Sequence, residues 1–256
     1  MAWRPHMTRV GAARAGLIVL AFAALEVLCR VGVIPRVTMI PPSEMVASLA
    51  TILVNGKFNN DIFFTLYNVV AAAILATVLG FFIGAGLHAL PRLRRPLVPL
   101  LSAYYAVPTF VFYPLLIVAF GVGRTALIAM GALFGIVAMI VNTTLGLDHV
   151  PPAVERTGAI LRLDRVRRLV LVRLPSAAPH LVTGIKLAVA YSVIGIVAGE
   201  FILATSGIGK RIAYSYDNFD NRTMYGMLLL LLLGVMIVNG ALSAWEKRLH
   251  RRFGQQ

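Results

Sequence analysis

From Ile62 to Pro91 the chain carries no formal charge, a longer apolar run than the ~20 residues that a helix needs to cross a bilayer. Pro96 to Gly123 and Ala126 to Gly146 repeat the pattern. Segments of this length leave a soluble fold too little polar surface, so they restrict the chain to a bundle of membrane helices. Composition agrees, with 59% hydrophobic and 13% charged residues and a mean hydropathy of +0.84, outside the range of soluble domains.

The other spans follow in order. Arg4, Arg9 and Arg14 precede an apolar run from Ala15 to Leu28. This resembles a signal peptide, but no small-x-small cleavage site follows it, and bulky Leu28 stands where a lipoprotein needs a small residue before Cys29. An uncleaved first helix is expected over 12–31. Pro35, Pro41 and Pro42 then break the chain, and the apolar spacing of SEMVASLATIL suits a short surface helix starting at Ser43. The second helix lies over 62–91. The third, over 96–123, is expected to be broken at Pro108 and Pro114, with Tyr104, Tyr105, Phe110, Phe112 and Tyr113 around the breaks. Proline inside a span frees backbone groups that only protein or water can satisfy, so this helix is expected to face a bundle interior or cavity. A fourth helix over 126–146, a fifth over 179–204 and a sixth over 224–245 complete an all-α protein of six spans, with Glu246–Arg252 as a basic tail. It reads as one transmembrane domain over 1–256, with a core at 60–246.

The formal charge of +14 does not indicate nucleic acid, because the cations sit in short segments between apolar runs, where they orient helices. Lys and Arg collect before the first helix, between the second and third, between the fourth and fifth, and after the sixth. All four segments lie on one side if the count is six, which puts both termini in the cytoplasm. The densest of them, in the cytoplasmic loop 148–180, holds Arg156, Arg162, Arg165, Arg167, Arg168 and Arg173. Topology alone needs fewer arginines, and this loop also has proline boundaries and helical length. A short helix held between the fourth and fifth spans would carry force applied from the cytoplasm into the membrane.

Catalytic patterns are absent from the sequence. There is no HExxH and no GxSxG, and the histidines are scattered. One cysteine, Cys29, rules out an intrachain disulfide. ATSGIGKR at 204–211 is the nearest approach to a phosphate loop, but Ala204 replaces the first glycine and Arg211 the Ser or Thr that binds magnesium. Glu200 is the one carboxylate well inside the later spans. It is either a pathway or gating group or a group at the outer end of helix five, near water or Lys210, and the second reading is preferred. Lys186 is expected to snorkel to the cytoplasmic surface.

The order IPPSEMV, VPTFVFYPLLIVAFGVG, VPP with a basic helix ending in LPSAAPHLVTGIKLA, and GEFILATSGIG resembles the permease subunits of bacterial ABC importers. It is most similar to the subgroup for nitrate, sulfonate, taurine and bicarbonate. The resemblance runs from about Ile40 to Arg252. It implies a type I importer fold in the bacterial inner membrane, a second permease chain that is a copy of this one, cytoplasmic ATPases that hold ATP and magnesium, and an external solute-binding protein. The chain itself would bind no cofactor and catalyse nothing. The family's loop signature is Glu-Ala-Ala, three residues, Gly, nine residues, Ile-x-Leu-Pro. Laid back from Leu174 and Pro175 it puts the Glu at Arg156, the two Ala at Thr157 and Gly158, the Gly at Arg162 and the Ile at Val172, with Pro152 also in register. Two arginines thus replace the family's Glu and Gly, and a basic coupling helix calls for an acidic groove on the ATPase.

The resemblance implies ATPase contact for Glu155, Arg156, Thr157, Gly158 and Leu161, and for Arg162, Leu163, Asp164 and Arg165. Tyr104, Tyr105, Pro108, Asn142, Tyr191 and Glu200 are candidates for the pathway of a small anionic solute. The alternative is an ion- or proton-coupled secondary transporter, which would need several intramembrane carboxylates or an inverted repeat. The sequence offers Glu26 and Glu200, each near a helix end, and no visible repeat.

Overall fold

The computed structural model describes residues 5–104, 107–161 and 163–253. The helices in chain order are α1 (Pro5–Arg30), α2 (Pro42–Asn55), α3 (Asn59–Ala89), α4 (Pro91–Tyr104), α5 (Tyr113–Phe120), α6 (Arg124–Asp148), α7 (Pro152–Ile160), α8 (Arg165–Arg168), α9 (Leu174–Leu203), α10 (Ile208–Asp217) and α11 (Asn221–Phe253). A 3-10 turn at Thr109–Phe112 precedes α5, and a π-helical turn at Leu169–Arg173 joins α8 to α9. Among the described residues, four helices are long and apolar enough to span: Asn59–Ala89, Arg124–Asp148, Leu169–Ile202 and Asn221–Arg248.

Several boundaries differ from those read in the sequence. The third segment, expected over 96–123 with breaks at Pro108 and Pro114, is divided, with other bounds. It begins at Pro91, ends at Tyr104 and resumes as α5 at Tyr113. Pro108 stands at the start of the 3-10 turn, as a helix breaker should. Pro114 breaks nothing, because it occupies the first turn of α5, where a missing N–H costs no bond and the fixed φ favours the helix. The fifth helix starts at Leu174, ahead of the expected 179, with Pro175 in its first turn and Pro179 inside it. The sixth helix continues to Phe253, so Glu246–Arg252 is helix rather than tail.

The chain divides into two compact units, Met1–Asn59 with Arg211–Leu232, and Asn60–Lys210 with Leu233–Gln256. In the first, Glu26 near the end of α1 accepts bonds from Ser43 N at 3.0 Å, Ser43 Oγ at 2.7 Å and Arg30 Nε at 2.6 Å, so a carboxylate from one helix caps the N-terminus of the next. The start of α11 is tied to the same region. Asn221 Nδ2 donates to the carbonyls of Arg36 and Val37 at 2.8 and 2.7 Å, Tyr225 Oη donates to Thr38 O at 2.6 Å, and Ser48 Oγ donates to Arg222 O at 2.6 Å.

In the second unit, α6 and α9 are in contact along much of their length, because glycines face each other at the crossing. A Cβ on Gly195 would lie 2.9 Å from Gly131 Cα, and one on Gly131 would lie 2.8 Å from Ile196 Cγ1. Lipid gives helices no hydrophobic reason to associate, so close packing of this kind supplies the contact instead. Around the crossing sit Ala72, Ala126, Leu127, Met130 and Ile196, all buried.

Candidate functional site

Three features bear on function: the arginine-rich segment, the cluster of groups beneath it, and a buried carboxylate at the other end of α9. The arginine-rich segment is not one long helix. α7 occupies Pro152–Ile160, the chain breaks, and α8 starts at Arg165. Asp164 begins the new turn, accepting Arg167 N at 3.1 Å through Oδ1, the preference of a short acidic cap. Glu155, Arg156, Thr157 and Gly158 therefore lie on α7, Leu161, Leu163 and Asp164 in the break, and Arg165 at the head of α8. Arg162 lies outside the described residues. Arg156 is exposed, and so are Ile160 and Leu161, at 80% and 65%. Two bare aliphatic side chains beside arginines in a polar loop make a surface suited to another protein.

Beneath the segment, Asp148 at the end of α6 accepts from His88 Nδ1 at 2.8 Å and from Arg94 at 2.5 Å, tying α6 to the end of α3 and the start of α4. The His149 and His180 rings lie 5.2 Å apart. Glu246 of α11 accepts from Thr183 Oγ1 at 2.7 Å and from Lys186 Nζ at 3.1 Å. Lys186 thus forms a partly exposed ion pair between α9 and α11. The segment between α6 and α9 is thus held at both ends by helices that are packed on each other.

At the other end of α9, Glu200 is completely buried, which corrects the expectation of a group near water or Lys210. Its Oε2 accepts from Thr65 Oγ1 at 2.8 Å and from Gly209 N at 3.0 Å. Asp61 Oδ1 accepts Gly207 N at 3.0 Å, and Thr65 Oγ1 accepts Ile208 N at 2.8 Å. Three successive N–H groups at the start of α10 are thereby taken by side chains of α3 and α9. Exposed donors at a helix N-terminus attract anions, and here side chains of the protein occupy those donors instead. This also disposes of ATSGIGKR as a phosphate loop, since its N–H groups are already occupied. Gly207 has φ +115, and a Cβ there would overlap the Glu200 carboxyl; glycine alone satisfies both conditions.

Asp61, Thr65 and the buried Asn68 escaped notice in the sequence. Their spacing of four and three residues puts them on one face of α3, a polar stripe in an apolar helix that was there to be read. Among the six pathway candidates, Tyr104 Oη donates to Leu133 O at 2.9 Å. Asn142 Nδ2 donates to Ala138 O of its own helix at 2.8 Å. Tyr191 is half-buried on α9 and Pro108 is exposed, while Tyr105 lies outside the described residues. Tyr104 and Asn142 thus bond to α6, whereas Glu200 bonds to α3 and the start of α10. Among the described residues no three His, Cys, Asp or Glu side chains gather as metal ligands.

Residues 76–255 match the sequence profile of the binding-protein-dependent transport system inner membrane component. The chain belongs to this family. Curated relatives of this inner membrane component include the taurine transport system permease protein TauC of Escherichia coli, 23% identical over 96% of this chain and 92% of that one. The nitrate import permease protein NrtB of Synechococcus elongatus is 26% identical over 74% of this chain and 68% of its own length. Among solved structures, an inward-facing MetNI methionine ABC transporter aligns with a TM-score of 0.66 over 75% of this chain and 95% of the other, at 18% identity. At that identity the likeness concerns the fold.

Proposed function

We propose that this chain is the permease subunit of an ATP-driven ABC importer, and that two copies of it enclose the pathway of a small anionic solute. The observation that carries the reading is the family match over residues 76–255. The taurine and nitrate permeases among its relatives support a small anionic or acid-bearing solute. An external binding protein delivers that solute. Cytoplasmic ATPases, which hold the ATP and magnesium, dock on α7 and the residues that follow it. Both termini lie in the cytoplasm of a cell whose inner membrane the chain crosses several times, and the chain catalyses no reaction.

The placement of α7 fits this role. It sits between α6 and α9 in the chain, so a push on its exposed Arg156 and Ile160, and on Leu161 just after it, passes into packed helices rather than into a slack loop. A proton- or ion-coupled transporter is less well served. Glu26 and Glu200, the carboxylates such a mechanism would use, are both committed to capping helix N-termini.

Uptake of radiolabelled taurine and nitrate by cells that express the chain with its native partners tests the reading. Uptake is expected to fall at least tenfold when ATP is depleted while the ion gradient is maintained, and to persist when the gradient is collapsed with ATP present. The reverse pattern would replace the importer with a gradient-driven carrier.

A further inference from the structure

Lys57 and Phe58 stand directly before the span that begins at Asn59, and Asp220 and Arg222 flank the start of the span that begins at Asn221. The ends of spans lie at the level of lipid headgroups. A cavity of about 390 Å³ beside α2 is lined in part by these four residues and Glu44, within the size range of small-molecule sites.

The cavity carries both signs of charge with capacity to spare. Among the described residues neither Lys57 nor Arg222 belongs to an ion pair. Glu44 accepts from Arg36 Nη2 at 3.0 Å through Oε1, and Asp220 accepts Thr223 N at 3.1 Å through Oδ1. The second oxygen of each carboxylate is left open to a donor. Two further cations border the site but are already engaged, Arg36 with Glu44 and Arg211 over the Phe58 ring at 5.6 Å. The back wall is firm. Ser48 Oγ donates to Arg222 O at 2.6 Å, and a Cβ on Gly226 would meet Ser48 Oγ at 2.6 Å and Ile52 Cδ1 at 2.7 Å.

The helix α2 divides into three faces. Leu49 and Ile52 are buried, while Glu44, Ala47 and Thr51 border the cavity. Next to the cavity face, Val46, Ala50, Leu53 and Val54 repeat at helical spacing and are all exposed. An uncovered apolar stripe at the level of the span ends is what a helix lying in the membrane interface presents to acyl chains.

We propose that the cavity holds the headgroup of one phospholipid that joins a phosphate to a primary ammonium, with its acyl chains along Val46, Leu53 and Val54. The phosphate faces Lys57 and Arg222, and the ammonium faces Glu44 and Asp220. A headgroup with negative charge alone would confront two carboxylates without satisfying them. A quaternary ammonium would bring no N–H to their open oxygens. The proposal needs the two spans and is independent of the importer reading.

The test is native mass spectrometry of the full chain, delipidated in detergent and titrated with phosphatidylethanolamine, phosphatidylcholine and phosphatidylglycerol of one acyl composition. Wild type is expected to bind phosphatidylethanolamine at least tenfold more tightly than either other lipid. Lys57→Gln with Arg222→Gln is expected to abolish that preference, and it leaves Arg222 O in place for Ser48. Glu44→Gln with Asp220→Asn keeps the acceptors for Arg36 and Thr223 N and is expected to turn the preference toward phosphatidylglycerol. Equal binding of the three lipids by wild type, or a preference that survives either double variant, overturns the proposal. Free phosphoethanolamine carries the same charges without the chains. Its binding at the concentrations where the lipid binds would make this a site for a small solute and would also overturn the proposal.

Discussion

Glu200→Ala is expected to cost about 3–5 kcal/mol, because it strands the buried donors Thr65 Oγ1 and Gly209 N, at ~1–3 kcal/mol each, and leaves a cavity. For a chain of this size that corresponds to a fall in thermal midpoint of about 6–20 °C, readable by fluorescence size-exclusion chromatography in detergent after heating. Glu200→Gln keeps an acceptor oxygen and is expected to lose about 1 kcal/mol. A purely solute-handling glutamate gives the opposite pattern: Glu200→Ala would fold with wild-type stability and fail only in uptake. The comparison therefore decides whether this carboxylate is a helix cap or a pathway group.

Gly131→Leu is the second change expected to be severe. Even the first carbon of the new side chain would meet Ile196 Cγ1 at 2.8 Å and Ala72 Cβ at 2.9 Å. A leucine can be housed there only by separating α6 from α9 or by driving buried neighbours off their rotamers, at a cost of several kcal/mol. Because packing rather than hydrophobicity holds membrane helices together, the yield of monodisperse protein is expected to fall at least tenfold. Gly240→Leu on α11 is the control, since a Cβ there has nothing within 4 Å and the yield is expected to stay at the wild-type level. Equal yields for the two variants would mean that the α6–α9 crossing does not hold the unit together.

The spans were legible because charge-free length is a strong constraint: Ala126–Gly146 falls within α6, and Ile62–Pro91 coincides with α3 as far as Ala89. The arginine-rich segment was legible from its proline boundary, and α7 does begin at Pro152. Proline misled elsewhere. Pro114 looks like a breaker in a string of letters, whereas it sits in the first turn of α5, where proline is welcome. The surroundings of Glu200 were hidden for a different reason. Its partner Thr65 is 135 residues away in the chain, and no local pattern announces a cap borrowed from another helix.

The glycine pairs were visible but unused: Gly80 with Gly84, Gly131 with Gly135, and Gly195 with Gly199 each repeat at four residues. That spacing marks close helix approach in membranes, and all six glycines would bring a Cβ within 3 Å of an atom of another helix. Six spans were expected, the third broken by proline; among the described residues four helices qualify, and α4 and α5 divide the third expected span.

The most direct test of the importer account is to purify the tagged chain from its native membrane in mild detergent and identify by mass spectrometry what stays bound. The account predicts a Walker-motif ATPase, retained by wild type and reduced at least tenfold when Arg156 and Arg162 are both changed to Glu, with the variant still folded. Recovery of the chain without an ATPase, together with solute uptake that is indifferent to ATP depletion, would contradict it.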